Sequence, residues 1–516
     1  MAHAQVEVKS LPQDRLFVRD IRVTGSTVFS SEELEEVIVP YRNRELSAED
    51  LEELRLALTQ LYVKRGFVNS GSILPNQNIV NETITFHVIE GHLSRIDVEG
   101  NRWYRTDYLR KRLRFGLKIP LDIEFLRQQL QLLKQDPRIE RLNAQLRPGD
   151  KLGEGVLHLQ LEESLPFDVF LGLNNYQSPT LGLMQGLVIA EHQNVLGRGD
   201  TLGVTFKKSE GSDLQIDTQY SLPLSARDDK LIFRYRKDDT TVVQGPFRAL
   251  DIESRSDVFE VTLRYPLYRT LTNQLVLGVT AGHIRSRTFL QDIPVSFSLG
   301  VENGKSIITP LRFTAQWLKR TMHQVIAIQS RLTWGIDAFG ATTNANGLIP
   351  DGKFLAWLAQ LQWVQRLEFQ NMETIFRLDV QLTTEPLLSV EQMASGGRFS
   401  VRGYQENQFV RDNGLITSLE VRIPVWQNRS WADFVQLSPF IDFSKLWNAD
   451  RLAPNADSVV LISTGIGLRW ALTSPFRIPI QPQLEVFWGY RLKEVDMTGD
   501  RLQGNGVHLQ FLAKVL

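Results

Sequence analysis

The stretch Glu373-Thr374-Ile375-Phe376-Arg377-Leu378-Asp379-Val380-Gln381-Leu382 alternates apolar and polar residues along its length. Side chains of a β-strand point alternately to its two faces, so one face of this segment is apolar while the other carries charges and amides. The same pattern recurs after Pro166, in Leu202/Val204/Phe206, Leu214/Ile216/Thr218/Tyr220, Phe259/Val261/Leu263/Tyr265, Leu275/Leu277/Val279/Ala281, Leu311/Phe313/Ala315/Trp317, Leu355/Trp357/Ala359/Leu361/Trp363 and Leu484/Val486/Trp488/Tyr490. These segments predict an extensive β-structure without a sustained helix.

Two β architectures fit this alternation, a soluble sandwich and a membrane barrel. Residues 167–516 number 516 − 166 = 350, and 350/16 is about 22 residues per strand with its connection, a comfortable length for 16 membrane strands. Nine of the ten tryptophans lie in this region, several at strand ends where a membrane interface would place them. A closed barrel also leaves no unpaired backbone edge in lipid. We therefore predict a 16-stranded antiparallel transmembrane β-barrel over residues 166–516.

The composition excludes several other classes of protein. The chain has 58 Lys+Arg against 59 Asp+Glu, whereas a nucleic-acid-binding domain is usually strongly basic, so no nucleic-acid partner is expected. It has no cysteine, which excludes a disulfide scaffold, a thiol nucleophile and a Cys-ligated metal. No run approaches about 18 consecutive apolar residues, which excludes a membrane-spanning helix.

The signals for an enzyme are weak. The segment Gly300-Val301-Glu302-Asn303-Gly304-Lys305-Ser306 resembles a phosphate-binding loop, but three residues separate its glycines where four are needed. The eight histidines are scattered, and none is paired with another at a zinc-binding spacing. The sequence predicts no catalytic residue, no metal site and no cofactor, and we interpret residues 300–306 as a hairpin loop.

Two similar units occupy residues 16–91 and 92–165, after an N-terminal extension over residues 1–15. Each reads as strand, helix, helix, strand, strand, which predicts a duplicated α+β module. In the first unit we expect strands over 17–23, 67–74 and 83–89, with helices capped by Ser31 and Ser47. In the second we expect a strand around 96–98, a helix capped by Thr106, a helix ending before Pro137, and strands over 139–146 and 156–161.

The segment Ala2-His3-Ala4 before Gln5 has the small-x-small form of a signal-peptidase site. We hypothesise that the native precursor carried a signal peptide that Met1 replaces here.

A glycine-flanked arginine lies in Gly396-Gly397-Arg398-Phe399-Ser400-Val401-Arg402-Gly403-Tyr404. Glycines permit a tight loop in close contact with its surroundings, and an arginine inside a barrel needs a carboxylate partner. By strand alternation, Asp442 and Glu420 both point away from the apolar face. We predict that Arg402 pairs in the lumen with one of these two residues; a solvated surface loop is the alternative.

These motifs resemble those of a known family. Val401-Arg402-Gly403-Tyr404 with Gly396 and Gly397 looks like the signature of outer-membrane assembly and secretion barrels that follow periplasmic POTRA domains. The family's early-barrel motif resembles Asn194-Val195-Leu196-Gly197-Arg198-Gly199-Asp200. The junction between its first two POTRA domains resembles Val98-Glu99-Gly100-Asn101. The first unit resembles the POTRA domain of two-partner secretion transporters (TpsB, haemolysin-activator type) in Tyr62, Arg65, Gly66, Phe67, Pro75, Gln77, Glu90 and Gly91.

The resemblance implies two tandem POTRA domains in the periplasm and a 16-stranded barrel in outer-membrane lipid. The implied substrate is a large unfolded exoprotein (TpsA-like), secreted without ATP by a transporter expected to be monomeric. It also implies that the arginine of the loop pairs with Asp442. A barrel-assembly insertase of the same superfamily and a passive porin are the alternative functions.

The sequence departs from the family pattern in three places. Only about 16 residues precede the first expected strand, so we expect no N-terminal plug helix. Ser444-Lys445 stands where Gly-Arg is usual, and the final strand ends in Leu516 rather than in an aromatic residue. A basic helix bearing Arg110, Lys111, Arg112 and Arg114 either favours acidic substrate segments or is a solvated face.

Overall fold

The computed structural model describes residues 15–244, 248–344, 349–450, 457–473, 480–496 and 501–515. The chain divides into two compact units, the first ending at Ser164 and the second beginning at Leu165. None of the helices in these ranges is long and apolar enough to cross a membrane. The segment Ala2-His3-Ala4, the expected extension up to residue 14 and the terminal Leu516 lie outside the described residues.

The first module combines two helices with short strands. Its elements are β1 (Leu16–Val18), β2 (Asp20–Thr24), α1 (Ser31–Ile38), β3 (Arg44–Leu46), α2 (Ala48–Lys64), β4 (Gly71–Ile73) and β5 (Thr83–Ile89). β5 lies between β2, to which it is parallel, and β4, to which it is antiparallel; β1 pairs with β3. The apolar faces of sheet and helices enclose one core, with Leu54, Leu58 and Phe86 inaccessible to solvent.

Several boundaries expected in this module are wrong. The single strand over 17–23 is two strands, because the chain changes partner at Arg19, whose N–H donates to the Glu82 carbonyl. The first helix is capped by Ser30 rather than Ser31: the Ser30 hydroxyl accepts from the Glu33 N–H, and the Glu33 carboxylate accepts from the Ser30 N–H. The strand over 67–74 is confined to Gly71–Ile73. Ser47 does cap α2, in a second capping box with Asp50.

The second module repeats this arrangement. Its elements are β6 (His92–Glu99), α3 (Thr106–Arg114), α4 (Ile123–Lys134), β7 (Ile139–Pro148) and β8 (Glu154–Glu163). β8 is central, parallel to β6 and antiparallel to β7. The expectation that Thr106 caps α3 is wrong, because Arg105 is the cap residue and the Thr106 hydroxyl accepts instead from the Asn101 side chain at 3.1 Å. Asp122 caps α4.

Residues after Leu165 form a closed antiparallel barrel. Within the described residues it has 16 strands and closes where the last pairs with the first. They are β9 (Phe167–Asn174), β10 (Gln185–His192), β11 (Thr201–Ser209), β12 (Gln215–Pro223), β13 (Lys230–Thr241), β14 (Ile252–Arg269), β15 (Asn273–Leu290), β18 (Pro310–Arg320), β19 (Gln324–Gly335), β20 (Phe354–Arg366), β21 (Glu373–Thr383), β24 (Asn413–Arg429), β25 (Ala432–Trp447), β26 (Val459–Ala471), β27 (Gln481–Arg491) and β28 (Val507–Lys514).

Four short strands and one helix supplement the barrel. They are β16 (Ile293–Pro294), β17 (Lys305–Ile308), β22 (Met393–Ser395), β23 (Phe409–Arg411) and α5 (Arg501–Gly504). β16 and β17 pair with the C-terminal part of β15, and β22 pairs with β23. Residues 300–304 lie in the connection that leads into β17, and Lys305 and Ser306 begin that strand, so the predicted hairpin loop is correct only for the first part of the segment.

The apolar face of each strand is on the outside of the barrel. Phe313, Leu355, Trp488 and Ile441 are 43%, 49%, 48% and 49% exposed, although all are large and apolar. So much exposed apolar surface requires an apolar surrounding. A soluble sandwich would bury these residues between two sheets, whereas a membrane barrel presents them to lipid.

Leu58 is fully buried in the core of the first module, whereas Leu56 on the same helix is 44% exposed. We predict that Leu58→Ala lowers the free energy of unfolding of this module by about 2–5 kcal/mol, because it removes buried apolar contacts and leaves a cavity. Pulse proteolysis of the purified full-length chain in urea would measure this loss. Leu56→Ala is the matched control, with a change within about 0.5 kcal/mol; equal losses in both variants would contradict the assigned core.

Candidate functional site

Most of the loop between β22 and β23 is buried within the second unit, with Phe399 and Asn407 as exposed exceptions. Val401, Arg402 and Tyr404 are all inaccessible to solvent. The Tyr404 hydroxyl lies within hydrogen-bonding distance of the carbonyl oxygens of Ile462 (2.9 Å) and Lys493 (2.6 Å). The solvated surface loop is therefore excluded for these residues.

Arg402 is held by both predicted carboxylates. Its backbone N–H and Nε donate to Asp442 Oδ2 at 3.0 and 2.8 Å, and Nη2 donates to Oδ1 at 2.8 Å. Nη1 donates to Glu420 Oε2 at 2.6 Å. Sequence reasoning left these two acids as alternatives, whereas the structure brings both to one guanidinium. Such multidentate, charge-assisted contacts are among the stronger hydrogen bonds in proteins.

Strand pairing places the acceptors beside one another. Ser418 and Asp442 are direct partners in the ladder between β24 and β25, so both point into the lumen. Arg402 Nη2 donates to Ser418 Oγ at 3.0 Å. Glu420 also accepts from Arg422 Nε at 3.0 Å, so the two buried acids are balanced by two arginines. This balance is what permits four charged groups inside the barrel.

The glycines of the loop allow it to pack closely. Gly403 has φ +92°, and a Cβ there would lie 2.8 Å from the Gly489 carbonyl oxygen. Gly397 has φ +104°, and a Cβ there would lie 2.1 Å from the Glu406 carboxylate. Gly396 has a similar φ of +106°. A larger residue would combine backbone strain with a steric clash at these positions.

Sequence reasoning missed several residues of this site. The Arg402 guanidinium lies 3.6 Å from the centre of the Phe440 ring, and Arg398 lies 3.9 Å from that of Phe487. His508 Nε2 accepts from the Gly403 N–H at 3.2 Å. The one available signal was Gly489, because a glycine inside a strand often marks close backbone approach.

The motif residues of the first module form its internal framework. The Tyr62 hydroxyl lies 2.6 Å from Ser26 Oγ and 3.2 Å from Glu90 Oε1, and desolvation by burial raises the Tyr62 pKa to about 12. Arg65 pairs with Glu33 at 2.6 Å. Phe67 packs on Tyr62. These contacts tie the end of α2 to the sheet.

The remaining motif residues lie at the sheet edge and at the junction with the second module. The Gln77 side chain exchanges two hydrogen bonds of 2.8 Å with the backbone of Thr85, as a neighbouring strand would, while Pro75 precedes it. The Gly66 and Gly91 carbonyls accept from the backbone N–H groups of Ile123 and Leu121 in the second module. The structure thus distributes the POTRA motif residues over structural contacts rather than collecting them in one pocket.

The early-barrel motif forms the turn between β10 and β11. Its Asp200 is fully buried and accepts from the Leu196 N–H at 2.9 Å and from the Tyr220 hydroxyl at 2.8 Å. Asn194 Oδ1 accepts from the Gly199 N–H. In the described part of the chain, no group of three His, Asp or Glu residues could hold a metal ion.

The fold and the buried arginine cluster define a class of protein, an outer-membrane pore whose lumen holds a glycine-flanked arginine loop. A family model described as haemolysin secretion/activation protein ShlB/FhaC/HecB matches residues 153–470, and one described as POTRA domain, ShlB-type, matches residues 16–91. Because the first match covers more than half of the chain, the chain belongs to the ShlB/FhaC/HecB family.

Individual relatives agree with this assignment. The outer membrane transporter CdiB of Escherichia coli is 23% identical over 413 residues, which cover 77% of this chain and 67% of that protein. The hemolysin transporter protein ShlB of Serratia marcescens is 22% identical over 427 residues, covering 80% and 73%. The structure of CdiB from Escherichia coli has a similar fold, with a TM-score of 0.70 and 19% identity over 99% of this chain and 92% of that one.

Family membership establishes what the chain is. It is an outer-membrane translocation pore of two-partner secretion, with its POTRA domain in the periplasm. The family is one of transporters rather than of enzymes. Membership favours this function over the insertase and the passive porin.

We predict that Asp442→Asn destabilises the barrel more than Glu420→Gln does. Asp442 accepts three hydrogen bonds from Arg402, and breaking a buried ion pair costs about 3–5 kcal/mol. Glu420→Gln weakens one contact of Arg402 and one of the half-buried Arg422 but leaves the three bonds to Asp442 in place, so its cost is about 1–3 kcal/mol. Gel migration of the purified protein after heating in detergent gives the unfolding temperature of each variant.

Glu368→Gln, in the exposed turn after β20, is the control and should not shift the unfolding temperature. An unfolding temperature that falls further for Glu420→Gln than for Asp442→Asn would mean that the contacts at Asp442 do not hold the loop.

Proposed function

We propose that the chain secretes a large, unfolded partner exoprotein, which the periplasmic modules bind and which then passes a loop-gated lumen without ATP. The observation that carries this proposal is the burial of Arg402 by Asp442 and Glu420 inside a barrel that belongs to a transporter family. A pore that only conducted small solutes would not need this loop. Binding and folding of the substrate supply the work in this account.

We assign residues 16–91 and 92–165 to two tandem POTRA domains, residues 166–516 to the pore and residues 1–15 to an N-terminal extension. The support is the repeated order of elements, with two helices between the first strand and an antiparallel strand pair in each module. In the first module β5 is parallel to β2 and antiparallel to β4, and in the second module β8 is likewise parallel to β6 and antiparallel to β7. In this assignment the transporter is a monomer, and its barrel is in contact with the lipid of the outer membrane.

The free edge of β7 is the surface that best suits an unfolded substrate. β7 ends the sheet of the second module, has ten residues, and all of them after Ile139 are at least partly exposed. An unpaired edge offers backbone N–H and C=O groups to an extended chain, which would join as an additional strand. Main-chain hydrogen bonds make few demands on sequence, as recognition of a long, varied polypeptide requires.

The buried loop is the gate of this account. Gly396, Gly397, Val401, Arg402, Gly403 and Tyr404 shape it, and Asp442 and Glu420 hold it. To open the lumen, the loop must either break the contacts of Arg402 with both carboxylates or move together with the strands that bear them. Loss of the ion cluster therefore changes the position of the loop without breaking the backbone ladder of the barrel.

We predict that Arg402→Ala reduces secretion of the partner exoprotein by about tenfold or more, while the barrel still inserts into the outer membrane. The loop loses its anchor, but the barrel strands keep their pairing. Co-expression with the exoprotein, followed by its quantification outside the cell, measures secretion, and heat-modifiable migration measures insertion. Arg429→Ala, at an exposed end of β24, is the control. Secretion by Arg402→Ala at the wild-type level would refute the gate.

Proline substitutions at Asn143 and Ala144 test strand addition at β7. The N–H groups of these adjacent residues point to opposite sides of the strand, one to β8 and one to the free edge. Because proline lacks the N–H, the edge-facing substitution should weaken exoprotein binding with the module still folded, whereas the other should disrupt the sheet. Circular dichroism and a binding titration with the full-length transporter distinguish the two. Unchanged affinity in the folded, edge-facing variant would argue against this edge.

A further inference from the structure

A second polar region covers the lumen on the strands that precede the loop-holding β24. We call it the arginine–glutamine wall and define it by Arg264, Gln316, Gln329, Arg331, Gln360 and Arg377. The wall begins beside the gate, since Arg377 on β21 is the ladder partner of Ser418, which contacts Arg402. From there it extends across β20, β19, β18 and β14.

The glutamines of the wall satisfy one another. The Gln316 amide donates to Gln329 at 2.7 Å, and that of Gln329 donates to Gln360 at 3.0 Å. These residues are direct partners in neighbouring ladders, so they form a level row around the barrel. Gln360 in turn donates to Asp379 at 2.9 Å, and Arg264 donates to Gln316 at 3.1 Å. The row is a fixed polar surface, and the carboxylate of Asp379 beside it already accepts a hydrogen bond from Gln360.

The three arginines of the wall have no carboxylate partner among the described residues, in contrast to the neighbouring lumenal residues Arg234 and Arg312. Arg234 pairs with Asp217, and Arg312 pairs with Glu260 and Glu391. Among the described residues no carboxylate lies within 4.0 Å of the guanidinium nitrogens of Arg264, Arg331 or Arg377. The buried Nε of Arg331 also lacks a hydrogen-bond acceptor. Half-buried cations without counter-charges are costly, and an anion beside them would relieve that cost.

Two cavities adjoin these guanidinium groups. One of about 490 Å³ is lined by Arg264 and Arg377, and one of about 230 Å³ by Arg264 and Arg331. Gln316 and Gln329 line both, so the cavities meet along the glutamine row. Together they could accommodate several side chains of an extended polypeptide.

We propose that the arginine–glutamine wall is a binding site for the carboxylate side chains of the polypeptide that crosses the lumen. This assignment rests on the proposed function, because it takes the substrate to be an extended chain. Each guanidinium presents a fork of N–H donors suited to a carboxylate, and three such groups can be engaged in turn. The site would favour acidic segments and would hold them next to the gate.

The absence of cysteine allows a direct test on the purified full-length protein in detergent. A single Gln329→Cys substitution places a thiol where the two cavities meet. A hexaglutamate peptide with an activated disulfide at its N-terminus should label this thiol about tenfold faster than the matching hexaglutamine peptide. Salt at 1 M should remove most of the difference, since it screens the attraction.

Two variants control the experiment. Leu332→Cys lies on the same strand but on the outer face, and it should show no preference for the acidic peptide. In the Gln329→Cys background, Arg264→Gln, Arg331→Gln and Arg377→Gln together should bring the two peptides within about twofold of one another. Each single Arg→Gln variant is measured as well, and migration before and after heating verifies that every variant is folded.

Equal labelling of Gln329→Cys by the two peptides, or no labelling by either, would overturn the site. So would an acidic preference that persists in the folded triple variant. Labelling needs neither the exoprotein nor the gate to act, so a negative result with normal secretion refutes the wall alone. A positive result in a chain that secretes nothing would refute the proposed function alone.

Discussion

The structure depends on one buried cation, the guanidinium of Arg402, and on two carboxylates that neutralise it inside the barrel. Taking a charge from water into this environment is costly unless its donors are all engaged. Asp442, Glu420 and Ser418 accept every hydrogen bond that Arg402 is seen to make from its side chain. The requirement explains the glycines as well, since Gly397 and Gly403 bring the loop close enough for these contacts.

Strand alternation determines which charged side chains of the barrel strands face the lumen. A shift of one residue in β24 would move Glu420 to the lipid face, and the same shift in β25 would move Asp442 there. Both shifts together would leave Arg402 without a carboxylate partner. The same alternation that places Phe313 and Leu355 outside places Arg312 and Gln360 inside. Among the described residues, the lumen contains arginines paired with acids, such as Arg312, and the three arginines of the arginine–glutamine wall, which have no carboxylate partner.

Sequence alone predicted much of this arrangement because the governing pattern is local. Period-two alternation, together with the length of the region and its tryptophans, predicted the barrel, and strand parity predicted that Asp442 and Glu420 point into the lumen as candidate partners of Arg402. Sequence did not predict that both acids bind it together, since this depends on the register between two strands. It also missed the packing of Arg402 on Phe440 and the acceptor role of His508, which are contacts between distant segments. Errors in the first module arose where two adjacent residues could play the same role. For example, Ser31 was predicted to cap α1, whereas the adjacent Ser30 does so.

If Arg402 is held in the lumen by Asp442, the two residues must be thermodynamically coupled, and a double-mutant cycle measures this coupling. The free energies of unfolding of the wild type, Arg402→Met, Asp442→Leu and the double variant would be compared in one detergent. We expect a coupling energy of about 3 kcal/mol or more, with the double variant little less stable than either single variant. Strictly additive losses, with coupling near zero, would show that the two residues do not depend on each other and would contradict the account.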